Sequence, residues 1–198
     1  MRPLLTACLV VGLSLFSLSA ASAEDWTLDG SASNLSFGSI KNNSFGEAHH
    51  FEGLTGSVSE AGKASIAIDL SSVETYIDIR NERMVEHLFG GGGVAELKAD
   101  LDMTRLQAIE TGQMETMELD AELSLLNRSL GLTIPVIVLR LSEEEVLVLT
   151  DGLFFVAAED LDFEAGLVVL QQLAGLDGIT ATAPVTFRLL FSRGDKPV

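Results

Sequence analysis

Met117-Glu118-Leu119-Asp120-Ala121-Glu122-Leu123-Ser124-Leu125 carries an apolar side chain at every odd position and a polar one at every even position. Period-two spacing sends successive side chains to opposite faces of an extended chain, so this stretch reads as a strand with one dry and one wet face. Working outward, the same alternation runs through Ala95, Leu97, Ala99, Leu101 and Met103, with Glu96, Lys98, Asp100 and Asp102 between them. It recurs at Ala64, Ile66, Ile68 and Leu70, and again at Ile179, Ala181, Ala183, Val185, Phe187, Leu189 and Phe191. One dry face per strand is the mark of antiparallel sheets rather than parallel βαβ units. Eight strands are expected, at 35–41, 48–58, 64–73, 94–103, 117–126, 130–141, 146–157 and 179–192, with turns at Glu60-Ala61-Gly62, Thr111-Gly112 and Glu143-Glu144-Glu145. The fold class is all-β, and eight such strands either stack as a sandwich or close as a barrel that is filled by side chains or holds one small ligand.

Two segments break the alternation. In 76–89, Ile77, Met84, Val85 and Leu88 fall at helical spacing, Thr75 and Asp78 form a candidate capping box, and Gly90-Gly91-Gly92-Gly93 ends the run. In 164–174, Leu167, Leu170 and Leu173 share one face and Gly175 stops it. Both read as short amphipathic helices packed on, or capping, the β core. Residues 132–139 and 147–158 are apolar on both faces, which asks for a cover on the outer side: a helix, a second subunit in a homodimer, or a lipid. Pro135 and Pro184 fall inside strand candidates and suggest bulges or edges.

With 12 Lys+Arg against 29 Asp+Glu in 198 residues, the net charge of −17 leaves no basic stripe for a nucleic-acid backbone and opposes docking on an anionic membrane. Residues 1–23 read as a secretory signal peptide: Arg2, then the apolar run 9–18, then Ala21-Ser22-Ala23. Leu5-Thr6-Ala7-Cys8 imitates a lipoprotein box, but the apolar run follows it instead of preceding it. The single cysteine, Cys8, lies in that leader, so the domain at 24–198 has no thiol and no disulfide. The expected location is the periplasm.

Searches for catalytic chemistry return little. His49 and His50 are adjacent and so face opposite ways on a strand; with His87 they read as surface or rim histidines rather than a zinc or copper site. Asp160, Asp162 and Glu164 begin like a calcium loop, but Ala165 and Gln171 stand where Gly and Glu are needed. There is no Gly-x-Ser-x-Gly elbow, and Gly90–Gly93 lacks the Lys-Ser/Thr of a phosphate loop and reads as a linker. The many acids allow a glycosidase-like pair by chance, with nothing to single one out. No enzyme, cofactor or metal is expected.

Several segments occur in an order that carries a resemblance: Ser33-Asn34-Leu35-Ser36-Phe37, Phe51-Glu52-Gly53-Leu54-Thr55-Gly56, Ile68-Asp69-Leu70-Ser71-Ser72-Val73-Glu74-Thr75 and Ile79-Arg80-Asn81-Glu82-Arg83-Met84. With the hairpin at Asn127-Arg128 and the stretch from Asp162-Phe163 to Arg193, they make the chain resemble the YceI-like family of exported bacterial proteins. The four glycines replace a Tyr-Pro-containing stretch usual in that family. The resemblance implies an eight-stranded antiparallel, lipocalin-like barrel with one or two short helices. It also implies an elongated apolar interior that holds a polyisoprenoid, an isoprenoid quinone precursor or a fatty-acyl lipid.

In that barrel the inward phase sets the tunnel lining: Leu35, Phe37, Phe51, Ile66, Ile68, Leu97, Leu101, Leu119, Leu123, Val136, Val138, Phe187 and Leu189. The small inward residues Ala95, Ala99, Ala121, Ala181 and Ala183 leave room beside them, and Met84, Leu88 and Phe89 would gate one mouth. Two other architectures compete. A non-catalytic β-sandwich, carbohydrate-binding or structural in the envelope, would have a solid core. An outer-membrane barrel would need aromatic girdles, whereas this chain has one Trp and one Tyr.

Overall fold

The computed structural model describes residues 25–193; the signal-peptide reading of 1–23 lies outside them. Twelve strands form one antiparallel sheet: β1 (Trp26–Leu28), β2 (Asn34–Lys41), β3 (Phe45–Phe51), β4 (Leu54–Val58), β5 (Lys63–Asp69), β6 (Val73–Glu74), β7 (Val94–Asp100), β8 (Met114–Leu125), β9 (Arg128–Arg140), β10 (Glu145–Thr150), β11 (Phe154–Ala157) and β12 (Thr182–Ser192). Three helices, α1 (Asp78–His87), α2 (Met103–Gln107) and α3 (Glu164–Ala174), sit in the connections.

The register shows that several strands are halves of one stave. β1 and β2 both lie against β12, through Thr27↔Ser192 and Phe37↔Val185, and β3 and β4 return beside them through Leu35↔Phe51 and Trp26↔Val58. β5 with β6, and β10 with β11, are joined in the same way. Eight staves result, each antiparallel to its chain neighbour, and the last pairs with the first. The barrel is closed, which excludes the sandwich. Glu118, Asp120 and Glu122 point outward to solvent while Leu125 and Ala121 are buried, the inverse polarity of a membrane-spanning barrel.

An up-and-down barrel alternates its connections between two ends. One end holds the β2–β3 and β8–β9 turns together with α1 and α3. The other holds the β4–β5 and β9–β10 turns together with α2. At the α2 end the guanidinium groups of Arg140 and Arg193 lie over the Trp26 ring, 5.6 and 5.0 Å from its centre, cation–π contacts that help shield the indole from water.

Several expected boundaries shift for identifiable reasons. Asp102 accepts from the backbone N–H of Thr104 and Arg105 and starts α2, so the strand expected to reach 103 ends at Asp100. The capping box at Thr75 and Asp78 does not form: Thr75 donates its hydroxyl to Asn81, whose Oδ1 also accepts the Thr75 N–H, and α1 begins without a side-chain cap. Pro135 sits in an unbroken β8–β9 register opposite Glu118, not in a bulge. Its carbonyl accepts from Asp151, on the side where β10 has just ended, so the missing N–H faces a local gap in pairing. The row Met114, Leu139, Leu147 and Leu190 aligns across the outer face of four staves, half-buried except for the exposed Met114.

Ile134 has no solvent exposure and lies in the α2 half of the barrel. Ile134→Ala is expected to cost about 2–5 kcal/mol, the range for truncation in a close-packed core, and Leu123→Ala, toward the other end, clearly less. Urea unfolding checks this; equal losses would show both halves to be packed alike.

Candidate functional site

The interior is filled unequally. Toward α2, Trp26, Leu28, Ile66, Ile134, Val136, Val138, Leu189 and Phe191 join one buried cluster, with Leu101, Met103, Leu106, Met117 and Leu119 packed against it. Toward α1 and α3 the same inward phase encloses a cavity of about 430 Å³, within the roughly 300–1,000 Å³ usual for small-molecule sites. Its wall includes an aromatic run, with ring centres 5.4 Å apart for Phe37–Phe51, 5.7 Å for Phe51–Phe89 and 5.9 Å for Phe89–Phe163. Ala95, Ala157, Ala158, Ala181 and Ala183 leave the space that these rings do not fill.

Of the expected lining, Leu35, Phe37, Phe51, Ile68, Leu97, Leu123 and Phe187 face the cavity, as do Met84, Leu88 and Phe89 from the end of α1. Ile66, Leu101, Leu119, Val136, Val138 and Leu189 do not. They point inward as the alternation requires, but lie outside the cavity wall, in or packed against the buried cluster. Ala99 and Ala121 likewise fall in the filled half. The expected full-length tunnel is therefore half a tunnel, blind at the α2 end.

α1 and α3 close the other end. Gly166 of α3 lies where a Cβ would come within 2.3 Å of the His87 carbonyl oxygen, so only glycine permits this helix crossing. All four residues of Gly90–Gly93 have positive φ, between 62° and 109°, which reverses the chain from α1 into β7. The opening lies beside α1: Ile77 and Ile79 line the cavity and are still 46% and 51% exposed.

Sequence reading missed the polar side of this mouth. Ser39, Lys41, Glu47, His49, Arg80, Arg83 and Thr180 all line the cavity. Glu47 accepts from Lys41 Nζ at 2.9 Å and from Arg80 Nη1 at 2.8 Å, while Arg80 Nη2 donates to the Thr75 carbonyl. His49, expected at the surface or the rim, lies at the rim but is only 3% exposed, with Nε2 3.0 Å from Ser39 Oγ and its ring 5.2 Å from Phe37. The signal that would have found this group is phase: Ser39 and Lys41 continue the inward row of Leu35 and Phe37, and Glu47 and His49 that of Phe51.

The surroundings shift two of these groups. Burial raises the Glu47 carboxyl, but hydrogen bonds from Arg80 and Lys41 and their charges outweigh it and hold the group below its usual 4.5. Burial first, then the Arg80 charge, lowers His49 to about 4 against the pull of Glu47. His49 is thus a neutral imidazole at physiological pH.

Comparison with known proteins gives two structural likenesses. A polyisoprenoid-binding domain from Saccharophagus degradans, implicated in plant cell wall breakdown, superposes with a TM-score of 0.82 at 34% identity, covering 85% of this chain and 98% of that one. BcnA of Burkholderia cenocepacia shares the fold, with a TM-score of 0.61 at 13% identity over 82% of this chain and 98% of its own. No protein-family model and no curated protein matches.

Neutral His49 makes folding pH-dependent. The fold keeps it unprotonated down to about pH 4, whereas the unfolded chain takes up the proton near 6.5. Between those values the unfolded state binds more protons, so stability is full above about pH 6.5 and declines as pH falls toward 4, by up to about 3 kcal/mol. Urea unfolding against pH is expected to show this slope in the parent and a flatter one in His49→Gln. Identical slopes would place the ring in water.

Proposed function

The chain belongs to the YceI-like family, and from that premise we propose that it is a non-catalytic binding protein that holds a long apolar amphiphile, a polyisoprenoid or related lipid chain, in the hollow half of its barrel. The observation that carries this reading is the blind apolar cavity with its aromatic wall, open beside α1. The likeness to a domain that binds polyisoprenoids supports it. An apolar cavity of this size holds water poorly, and each CH₂ brought in from solution contributes about 0.8 kcal/mol. Burial alone would take a chain of several tens of carbons to the practical ceiling of about −18 to −21 kcal/mol, so chain ordering and desolvation must offset much of it. The leader read in residues 1–23 would place this carrier in the periplasm.

The opening beside α1 widens for a long guest if α1 and α3 part. Met84, Leu88 and Phe89 lie at the inner end of α1 beside the glycine turn, the segment best able to absorb backbone rotation. Hydrogen exchange is expected to be faster in α1 than in β8 and β9 and to slow when lipid is bound. A helix as protected as the central strands with and without lipid would overturn the gate.

Leu123→Glu places a carboxylate on the cavity wall, where desolvation penalises any apolar guest. Native mass spectrometry of protein taken from its own envelope is expected to find isoprenoid lipid on the parent and at least a tenfold smaller loaded fraction on this variant. A folded variant that stays loaded would sink the assignment of the cavity.

A further inference from the structure

Buried polar atoms in folded proteins nearly always have a partner. Among the described residues two do not: His49 Nδ1 and Arg80 Nε. Both side chains line the same cavity, and both belong to the polar group at its mouth. In the tautomer in which Ser39 Oγ donates to His49 Nε2, the neutral ring carries its proton on Nδ1 as an unused donor. Arg80 is held in place by Glu47 on Nη1 and by the Thr75 carbonyl on Nη2, so Nε is a third donor on a fixed guanidinium.

Charge points the same way. Although the whole chain carries −17, the lining of this cavity contains three cations, Lys41, Arg80 and Arg83, against one anion, Glu47. Among the described residues Arg83 donates to the Leu173 carbonyl, at 3.3 Å, and forms no ion pair. Lys41 and Arg80 share the single carboxylate. A protein so acidic carries a surplus of positive charge in the lining of its apolar cavity, beside the opening at α1. Two unused donors beside two surplus positive charges suit an acceptor-only, negatively charged group.

We propose that Arg80, His49, Lys41 and Arg83 form a head-group site that selects an anionic head, phosphate or carboxylate, on the apolar chain held by the cavity. The proposal rests on the lipid-container reading and adds the chemical class of the head. The anion would reach Arg80 Nε and His49 Nδ1, both covered in the empty cavity, by displacing the side chains over them, with its tail toward the blind end.

The test uses three probes that share one C15 tail: farnesyl phosphate, farnesoic acid and farnesol, titrated calorimetrically into delipidated protein at pH 7. At least one anionic probe is expected to bind ten times more tightly than the alcohol, and the tighter of the two identifies the head as phosphate or carboxylate. In Arg80→Gln the anion-to-alcohol ratio is expected to fall below threefold; Lys41→Met carries the same test if Arg80→Gln does not fold. Equal affinity for all three probes, or a ratio unchanged in both variants, would overturn the head-group site while leaving the container intact. Binding of none of them would overturn both.

Discussion

The structure depends on how one closed sheet is filled. Eight staves fix the width of the barrel, and each inward position must then supply whatever volume its level needs. Near α2 the staves supply Trp26, Leu28, Ile134 and Phe191, which join one buried cluster. Near α1 and α3 they supply alanines beside one contiguous aromatic wall, and the axis stays open. Closure by backbone pairing through β1–β12 and β2–β12 allows this. A sandwich with so large a void would let its sheets collapse, whereas a closed barrel cannot narrow without breaking pairs. The cavity is therefore held open by hydrogen bonds, not by the packing that it lacks.

The two ends are built for different tasks. The α2 end is covered by Trp26 with Arg140 and Arg193 over its ring, and by Met103 and Leu106 against the core. The α1–α3 end is closed by a helix crossing that depends on Gly166 and a reversal through four glycines. Such a closure has no strand pairing to break, so it opens at less cost than the staves do.

The β framework was legible because alternation is a local property of sequence. The strand containing 117–125 and the helix at 164–174 both stand where spacing put them. Level along the barrel axis was not legible, because Leu119 and Leu123 have the same phase and neighbourhood. Only the stagger between staves, a non-local quantity, assigns Leu119 to the solid half and Leu123 to the cavity. The short β1 was missed because three residues are too few to show a period. The polar mouth was missed for a different reason. His49 and Glu47 obey the inward phase but violate its polarity, and such residues read as surface until both neighbouring strands are seen to carry the same exception.

That exception explains the placement of charge. A guanidinium or ammonium at the blind end would have to be desolvated with no water path for its counter-charge, a cost of several kcal/mol per ion. At the mouth the same groups stay partly solvated, with about a quarter of the Arg80 side chain and a third of the Lys41 side chain exposed, and Glu47 neutralises part of their field. A guest with one polar end consequently has one favourable orientation, tail inward and head among the donors. Reversing it would bury a charge against the aromatic wall and leave His49 and Arg80 unmatched. Orientation follows from desolvation alone, before any contact with a particular head group is considered.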